Sequence, residues 1–407
     1  MFNSTLYFKP CLLFGKVLLV MLLGNFPVAS QNVSYESFGK GLSVMAADSS
    51  FTLKLGVRFQ TLYAGVLNFD SDNWSDQFLI RRARLKFDGF AFSPKLEYKI
   101  ELGLSNRDTG GGQNVQSGFT SRIILDAVLK WKFHKDWALW VGQTKLPGNR
   151  ERVISSQKLQ FVDRSLVNSR FNIDRDIGIQ LRHKDRVGSK GVLKEMAAIS
   201  MGEGRDITTP NIGGYDYTLR LEYLPFGEFA SKGDYFSSDL KREPEPKLAI
   251  GVTYDFNDDA GKTRGQLGTF TIDSTMTQIT NDLTAVFVDA IFKYKGWSIQ
   301  SEYAHKSAGE DIIVSSLEGD LKYGTGHGFV LQTGYLFPSN FELAGRYTKI
   351  KPDSETYSSL GERMEYAIGL SRYIVEHNLK VQSDVSIIER PGGSDFFQFR
   401  LQFELAF

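Results

Sequence analysis

The sequence predicts an all-β protein, a transmembrane antiparallel β-barrel of 16 strands with long extracellular loops and short periplasmic turns. Three observations predict it. Extended segments alternate apolar and polar residues along most of the chain. The links between them alternate long and short. The chain opens on an export leader and ends flush on an aromatic strand.

The leader is residues 1–30. Lys9 and Lys16 give it a positive front, residues 17–23 (VLLVMLL) form a short apolar run, and Val28-Ala29-Ser30 places small residues ahead of Gln31. That is the pattern of a cleaved secretory signal. Residues 31–50 then read as a periplasmic N-terminal segment and 51–407 as the barrel. No later stretch approaches the ~18 apolar residues that a membrane helix needs, so any span is built from strands. Cys11, the sole cysteine, lies in the leader and ahead of its apolar run. The mature chain would carry no thiol, which removes zinc–thiolate sites, thiol nucleophiles and iron–sulfur clusters.

Strand positions follow from side-chain alternation. In 51–59 the odd positions Phe51, Leu53, Leu55, Val57 and Phe59 are apolar, with Thr52, Lys54, Gly56 and Arg58 between them. Tyr217, Leu219, Leu221 and Tyr223 likewise oppose Thr218, Arg220 and Glu222. Applied throughout, this rule places strands at 51–63, 79–92, 95–104, 121–133, 137–145, 175–183, 192–202, 215–225, 247–256, 283–294, 297–306, 327–336, 340–349, 363–373, 378–388 and 396–407. Segments 137–145 and 192–202 alternate poorly.

Long links at 64–78, 105–120, 146–174, 257–282, 307–326 and 350–362 are separated by short ones such as Ser93-Pro94, Lys295-Gly296 and Phe337-Pro338-Ser339. With both ends in the periplasm, the long links face outside. The exception is 226–246, which parity makes a periplasmic turn and which is long. Tyr63, Trp131, Phe133, Tyr223, Trp297, Phe337 and Tyr373 stand at strand ends, where outward aromatics suit membrane–water girdles. A soluble β-sandwich also alternates, but it requires neither the leader nor the link pattern.

In the last strand Phe399, Leu401, Phe403, Leu405 and Phe407 share one face. This resembles the strand that barrel-assembly machinery reads, an exposed edge with an aromatic end ready to pair during closure.

A barrel of this size encloses water, so its function depends on the charges lining it. Lys54 and Arg58 on the first strand, and Arg82, Arg84 and Lys86 on the second, share the lumen face. Cations spaced two residues apart offer an anion successive weak sites, and the arginine fork suits phosphate. The bland alternative is that they pair with nearby acids. The whole chain has 48 Lys+Arg against 47 Asp+Glu. Without the leader's two lysines the balance is 46 to 47, so nothing points to nucleic acid. The five histidines are scattered, and no serine elbow, phosphate loop or dinucleotide fingerprint appears. No cofactor, metal site or enzyme activity is expected. Asp255 to Asp259 hints at a calcium loop, but Gly261 is one place late and Gln266 stands where a bidentate Glu belongs.

Several stretches occur in the order found in one family. They include residues 39–42 (GKGL), 81–89 (RRARLKFDG), 141–147 (VGQTKLP), 161–167 (FVDRSLV), 175–178 (RDIG), 220–227 (RLEYLPFG), 345–347 (GRY) and 377–380 (HNLK). In these the chain resembles the phosphate-selective porin O and P family. The resemblance implies homotrimers of 16-stranded barrels that admit anions, with a third loop folded inward to narrow the pore. That loop would be 146–174. With its flanks it carries Lys145, Arg150, Arg152, Lys158, Arg164, Arg170 and Arg175 against Glu151, Asp163 and Asp174, a surplus of four positive charges. The expected function is passive diffusion of small hydrophilic solutes with an anion preference. The competing reading is a structural or adhesive barrel with a plugged pore and binding loops. Expected partners are membrane lipid, the assembly machinery and small anionic solutes.

Overall fold

The computed structural model describes residues 38–109, 122–208, 210–316, 319–353 and 361–407, and the backbone of 32–35; the leader lies outside the described residues. Sixteen strands form the barrel. They are β1 (Thr52–Asn68), β2 (Asn73–Ala91), β3 (Ser93–Gly103), β4 (Ile124–His134), β5 (Trp137–Lys145), β6 (Arg175–Val187), β7 (Gly191–Ser200), β8 (Asp216–Leu224), β9 (Lys247–Ala260), β10 (Asn281–Tyr294), β11 (Trp297–Ala308), β12 (Gly326–Leu336), β13 (Phe341–Pro352), β14 (Arg363–Val375), β15 (Leu379–Glu389) and β16 (Phe396–Ala406).

Each strand pairs antiparallel with its chain neighbours, and β16 closes on β1 from Phe396↔Asn68 to Ala406↔Arg58. Phe407 continues the ladder: its N–H donates to the Val57 carbonyl at 2.9 Å and its carbonyl accepts from Val57 at 2.7 Å. Closure satisfies the backbone polar groups that lipid cannot. A hairpin of Asn32–Tyr35 and Leu42–Met45 adds to the first residues of β1, with Leu42 opposite Leu55 and Met45 opposite Thr52.

The faces are inverted relative to a water-soluble protein. Along β8, Asp216, Thr218, Arg220 and Glu222 are buried, whereas Tyr217, Leu219, Leu221 and Tyr223 are 40–56% exposed. The apolar side therefore faces outward to lipid and the polar side inward. Trp131, Phe133, Trp297 and Phe337 are likewise exposed at strand ends. Tyr373 corrects the aromatic reading. It is 1% exposed and points inward, because its hydroxyl donates to the Glu342 carboxylate at 2.6 Å.

The two poorly alternating segments are both strands, β5 and β7. The poor alternation of β7 has a physical cause. Its inward residues include Val192, Met196 and Ala198, which are apolar and buried. Val192 and Ala198 belong to clusters with chain that folds into the lumen. β10 carries apolar residues on both faces: beside the inward Asp289 and Lys293, Leu283, Ala285, Phe287 and Ile291 also point inward, and Ala285 and Phe287 pack on the in-folded loop while Val288 faces out. The link expected at 64–78 is corrected. β1 and β2 run on and pair to Asn68↔Asn73, leaving residues 69–72 as a tight turn.

Candidate functional site

The link 146–174 lies inside the barrel and is bonded to strands around most of its circumference. Near its start, Asn149 donates to Glu302 on β11 at 2.8 Å. The fully buried Arg150 donates to Asp289 on β10 at 2.6 Å and to Glu222 on β8 at 3.3 Å. Farther along, Gln160 donates to Glu342 on β13 at 2.7 Å, and the Val162 amide donates to Asp384 on β15 at 3.0 Å. The short helix Leu166–Phe171 is capped by Ser165, whose side chain accepts from the Asn168 amide. Val167 and Phe171 on this helix pack against inward Phe287, Val330 and Ile350. Phe161 seats where β14 carries Gly369; a Cβ there would come within 3.0 Å of the ring. Hydrophobic docking and polar pairing together fix the loop across the lumen, with β10 and β13 contributing to both.

Asp163 is the hub of the loop. It accepts from Arg81 at 2.5 Å and Arg82 at 3.2 Å, and Arg400 stands 3.9 Å away. The alternation rule does not find Arg81, because in a regular strand it faces lipid. A β-bulge shifts the β1–β2 register between Gln60↔Arg82 and Thr61↔Ile80, leaving Arg81 as the extra residue. Both arginines thereby turn inward. The doublet Arg81-Arg82 carries this signal in principle, since a lipid-facing arginine costs ~2–4 kcal/mol at the midplane.

Burial alone would raise the Asp163 carboxyl. The guanidiniums of Arg81, Arg82 and Arg400 outweigh it and hold the group well below the usual carboxylate range. A depressed folded value means that Asp163 contributes docking stability fully present above its unfolded value, about 4. That stability is lost only as pH falls through the depressed folded value. Asp163's hold on the loop should therefore not change between pH 8 and pH 5. Asp163→Asn should show a noisier, looser-loop current than the wild type already at pH 7. A variant current indistinguishable from the wild type at pH 7 would contradict this.

Most of the predicted cations are neutralised where they stand. Arg58 pairs with Glu404 at 2.6 Å, Arg84 with Asp108 at 2.7 Å and Glu101 at 3.0 Å, and Lys86 with Asp88 at 2.8 Å. Arg152 pairs with Asp174, and Arg175 with Asp126 at 3.1 Å. Arg150 is locked as described, Arg170 is buried, and Lys158 places its ammonium 3.7 Å over the Phe236 ring. Lys54 is half-buried on β1, where that strand pairs with the N-terminal hairpin.

Two predicted residues differ from these. Lys145 donates to the carbonyls of Arg152 at 2.6 Å, Val153 at 3.4 Å and Ile154 at 3.3 Å. Arg164 donates to the carbonyls of Glu151 at 2.8 Å and Ile154 at 2.7 Å. Neither has a carboxylate partner within ion-pair distance among the described residues. Carbonyls fix their positions without cancelling their charge.

The lumen beside the loop holds two chambers. The one toward the long links has a volume of ≈ 1030 Å³, and thirteen of its lining residues are Arg or Lys against four Asp. The one toward the short turns is ≈ 830 Å³. Both are lined by Arg84, Lys145 and Arg175, so these three cations stand where the chambers meet.

Solved structures with similar folds are outer-membrane proteins. OmpF of Salmonella typhi, in complex with daunomycin, aligns with a TM-score of 0.56 at 13% identity, covering 88% of this chain and 99% of OmpF. The channel DcaP of Acinetobacter baumannii aligns at 0.52 with 14% identity over 89% of this chain and 99% of its own. OmpT of Vibrio cholerae, in a trimer form, aligns at 0.50 with 12% identity over 87% and 99%. An uncharacterized protein of Aquifex aeolicus (strain VF5) is 24% identical over 345 residues, 79% of this chain and 78% of the relative. The family model for phosphate-selective porin O and P matches residues 53–389. The chain belongs to that family, and it forms a channel for small solutes in the Gram-negative outer membrane.

Proposed function

We propose that the channel passes small hydrophilic anions by diffusion, phosphate among them, and that its preference is set at the meeting of the two chambers. The observation that carries this reading is Lys145, a cation lining both chambers and held only by backbone carbonyls. Arg84 and Arg175 beside it are paired, so they shape the throat more than they charge it. Arg164, which lines the chamber toward the long links, adds a second uncancelled charge. Arg82 and Lys86 then act chiefly through the position of Asp163 and of the wall.

The same reading takes the protein to be a homotrimer, as family membership suggests. It takes Phe399, Leu401, Phe403, Leu405 and Phe407, on the outward face of the closing strand, to be the assembly signal. The purified protein in a planar bilayer should carry current and, in a KCl gradient, give a zero-current potential of the sign set by chloride. A silent protein would favour the plugged structural barrel. A potassium-signed potential would reject the anion reading.

A further inference from the structure

The long link 226–246 does not hang into the periplasm. It turns inward and is bonded to both the barrel wall and the in-folded loop. Lys293 donates to the carbonyls of Gly233 at 2.8 Å and Ser238 at 2.7 Å. Tyr235 donates to Glu222 at 3.0 Å. The Ser237 amide donates to the Lys158 carbonyl at 3.0 Å, and Arg150 donates to the Asp234 carbonyl at 3.0 Å. Phe229 fills an inward apolar patch of Val192, Leu224, Ala249 and Ile291. Ser231 and Lys232 hold left-handed backbone at φ 53° and 59°, a conformation unfavourable for residues with a side chain that the surrounding anchors impose.

This segment is the floor of the smaller chamber, to which it supplies Phe229, Ser231, Lys232, Asp234 and Tyr235. On the chamber wall stands a second arrangement. Lys130 on β4 places its ammonium 4.0 Å from the centre of the Trp140 ring on β5, and Arg182 on β6 places its guanidinium carbon at 3.9 Å. The two cations come from the strands on either side of Trp140. Arg182 hydrogen-bonds Gln180 at 2.8 Å and Met196. Neither cation has a carboxylate within ion-pair distance among the described residues. Their neighbours do: Lys99 pairs with Asp126, and Lys194 pairs with Asp234. An unpaired lysine on a wet wall normally keeps its rotamer freedom. Here the ring, through cation–π attraction, fixes both charges at the chamber wall.

We propose that the in-turned segment 226–246 closes the smaller chamber into a second anion-holding stage, in which Lys130 and Arg182, positioned by Trp140, bind a small oxyanion of the phosphate, sulfate or carboxylate class. This rests on the anion-channel reading. Two stages in series let an anion leave the throat into a site of similar affinity, which conduction requires.

The probe is inorganic phosphate, added to one side of channels carrying chloride current. From the periplasmic end, Lys130→Gln with Arg182→Gln should raise the half-blocking phosphate concentration tenfold or more. Block from the extracellular end and the sign of the zero-current potential should not change. Trp140→Leu should reproduce the loss with both charges present, and Trp140→Phe should restore block. Replacing 228–244 by a short Gly–Ser turn should raise conductance and abolish the periplasmic block. Unchanged periplasmic block in the double variant overturns the proposal. A wild-type channel without chloride preference instead overturns the reading of the throat, a result separate from the block assay.

Discussion

Arg150→Met should destabilise the barrel and release the in-folded loop. Arg150 is fully buried between Asp289 and Glu222, with a further bond to the Asp234 carbonyl. Removing one partner of a buried ionic network leaves uncompensated charge and costs about 3–5 kcal/mol. The lower end is expected here, because Arg220 still bridges Asp289 and Glu222 at 2.7 Å each. Arg150 also ties the loop to the in-turned segment 226–246, so both constricting elements should loosen together. The variant should lose its compact gel mobility in detergent at a lower temperature than the wild type, and its open-channel current should be larger and noisier. Unchanged thermal behaviour with unchanged current would show that the loop is held elsewhere.

Lys145→Gln with Arg164→Gln should collapse the ion preference while leaving the barrel intact. Each residue is held by backbone carbonyls, with no carboxylate within ion-pair distance among the described residues. A unit charge at 4 Å contributes about 1 kcal/mol in a water-like dielectric, so losing two should lower the anion-to-cation permeability ratio roughly tenfold or more. Gln retains an amide N–H for the carbonyls that hold the loop. Lys86→Gln provides the contrast. Its charge is spent on Asp88, and its removal should move the zero-current potential far less. Equal shifts in the two variants would refute the distinction between paired and carbonyl-held cations.

The same distinction explains what could be read from the chain. Period-two alternation locates all sixteen strands, because each strand faces lipid on one side and water or buried polar groups on the other. It falters where the inner face docks other chain, as at Val192, Ala285 and Phe287. An apolar run such as 285–288 is consistent with burial on both faces, but periodicity cannot say what covers the inner one. The loop's cations were legible as a surplus, yet which of them stay uncancelled was not. Arg150 meets Asp289 and Glu222 across 139 and 72 residues of chain, and only the folded path brings them together. Arg81 was missed because a single extra residue reverses the face it occupies. The length of 226–246 marked an anomaly of parity, and its direction was set by tertiary anchors such as Lys293 and Glu222.

In an open channel, water runs from the outer chamber past Lys145 into the inner one, with lipid on the other side of the wall. Because the only cysteine, Cys11, lies in the predicted leader, single cysteines can report on this directly. Ala138 lines the inner chamber, and Leu221 is 55% exposed on the outer face. With charged thiosulfonates supplied only from the extracellular side, Ala138→Cys should react, faster with the anionic reagent than with a cationic one of equal size. Leu221→Cys should stay unreactive. Labelling of Leu221→Cys with silence at Ala138→Cys would contradict the account.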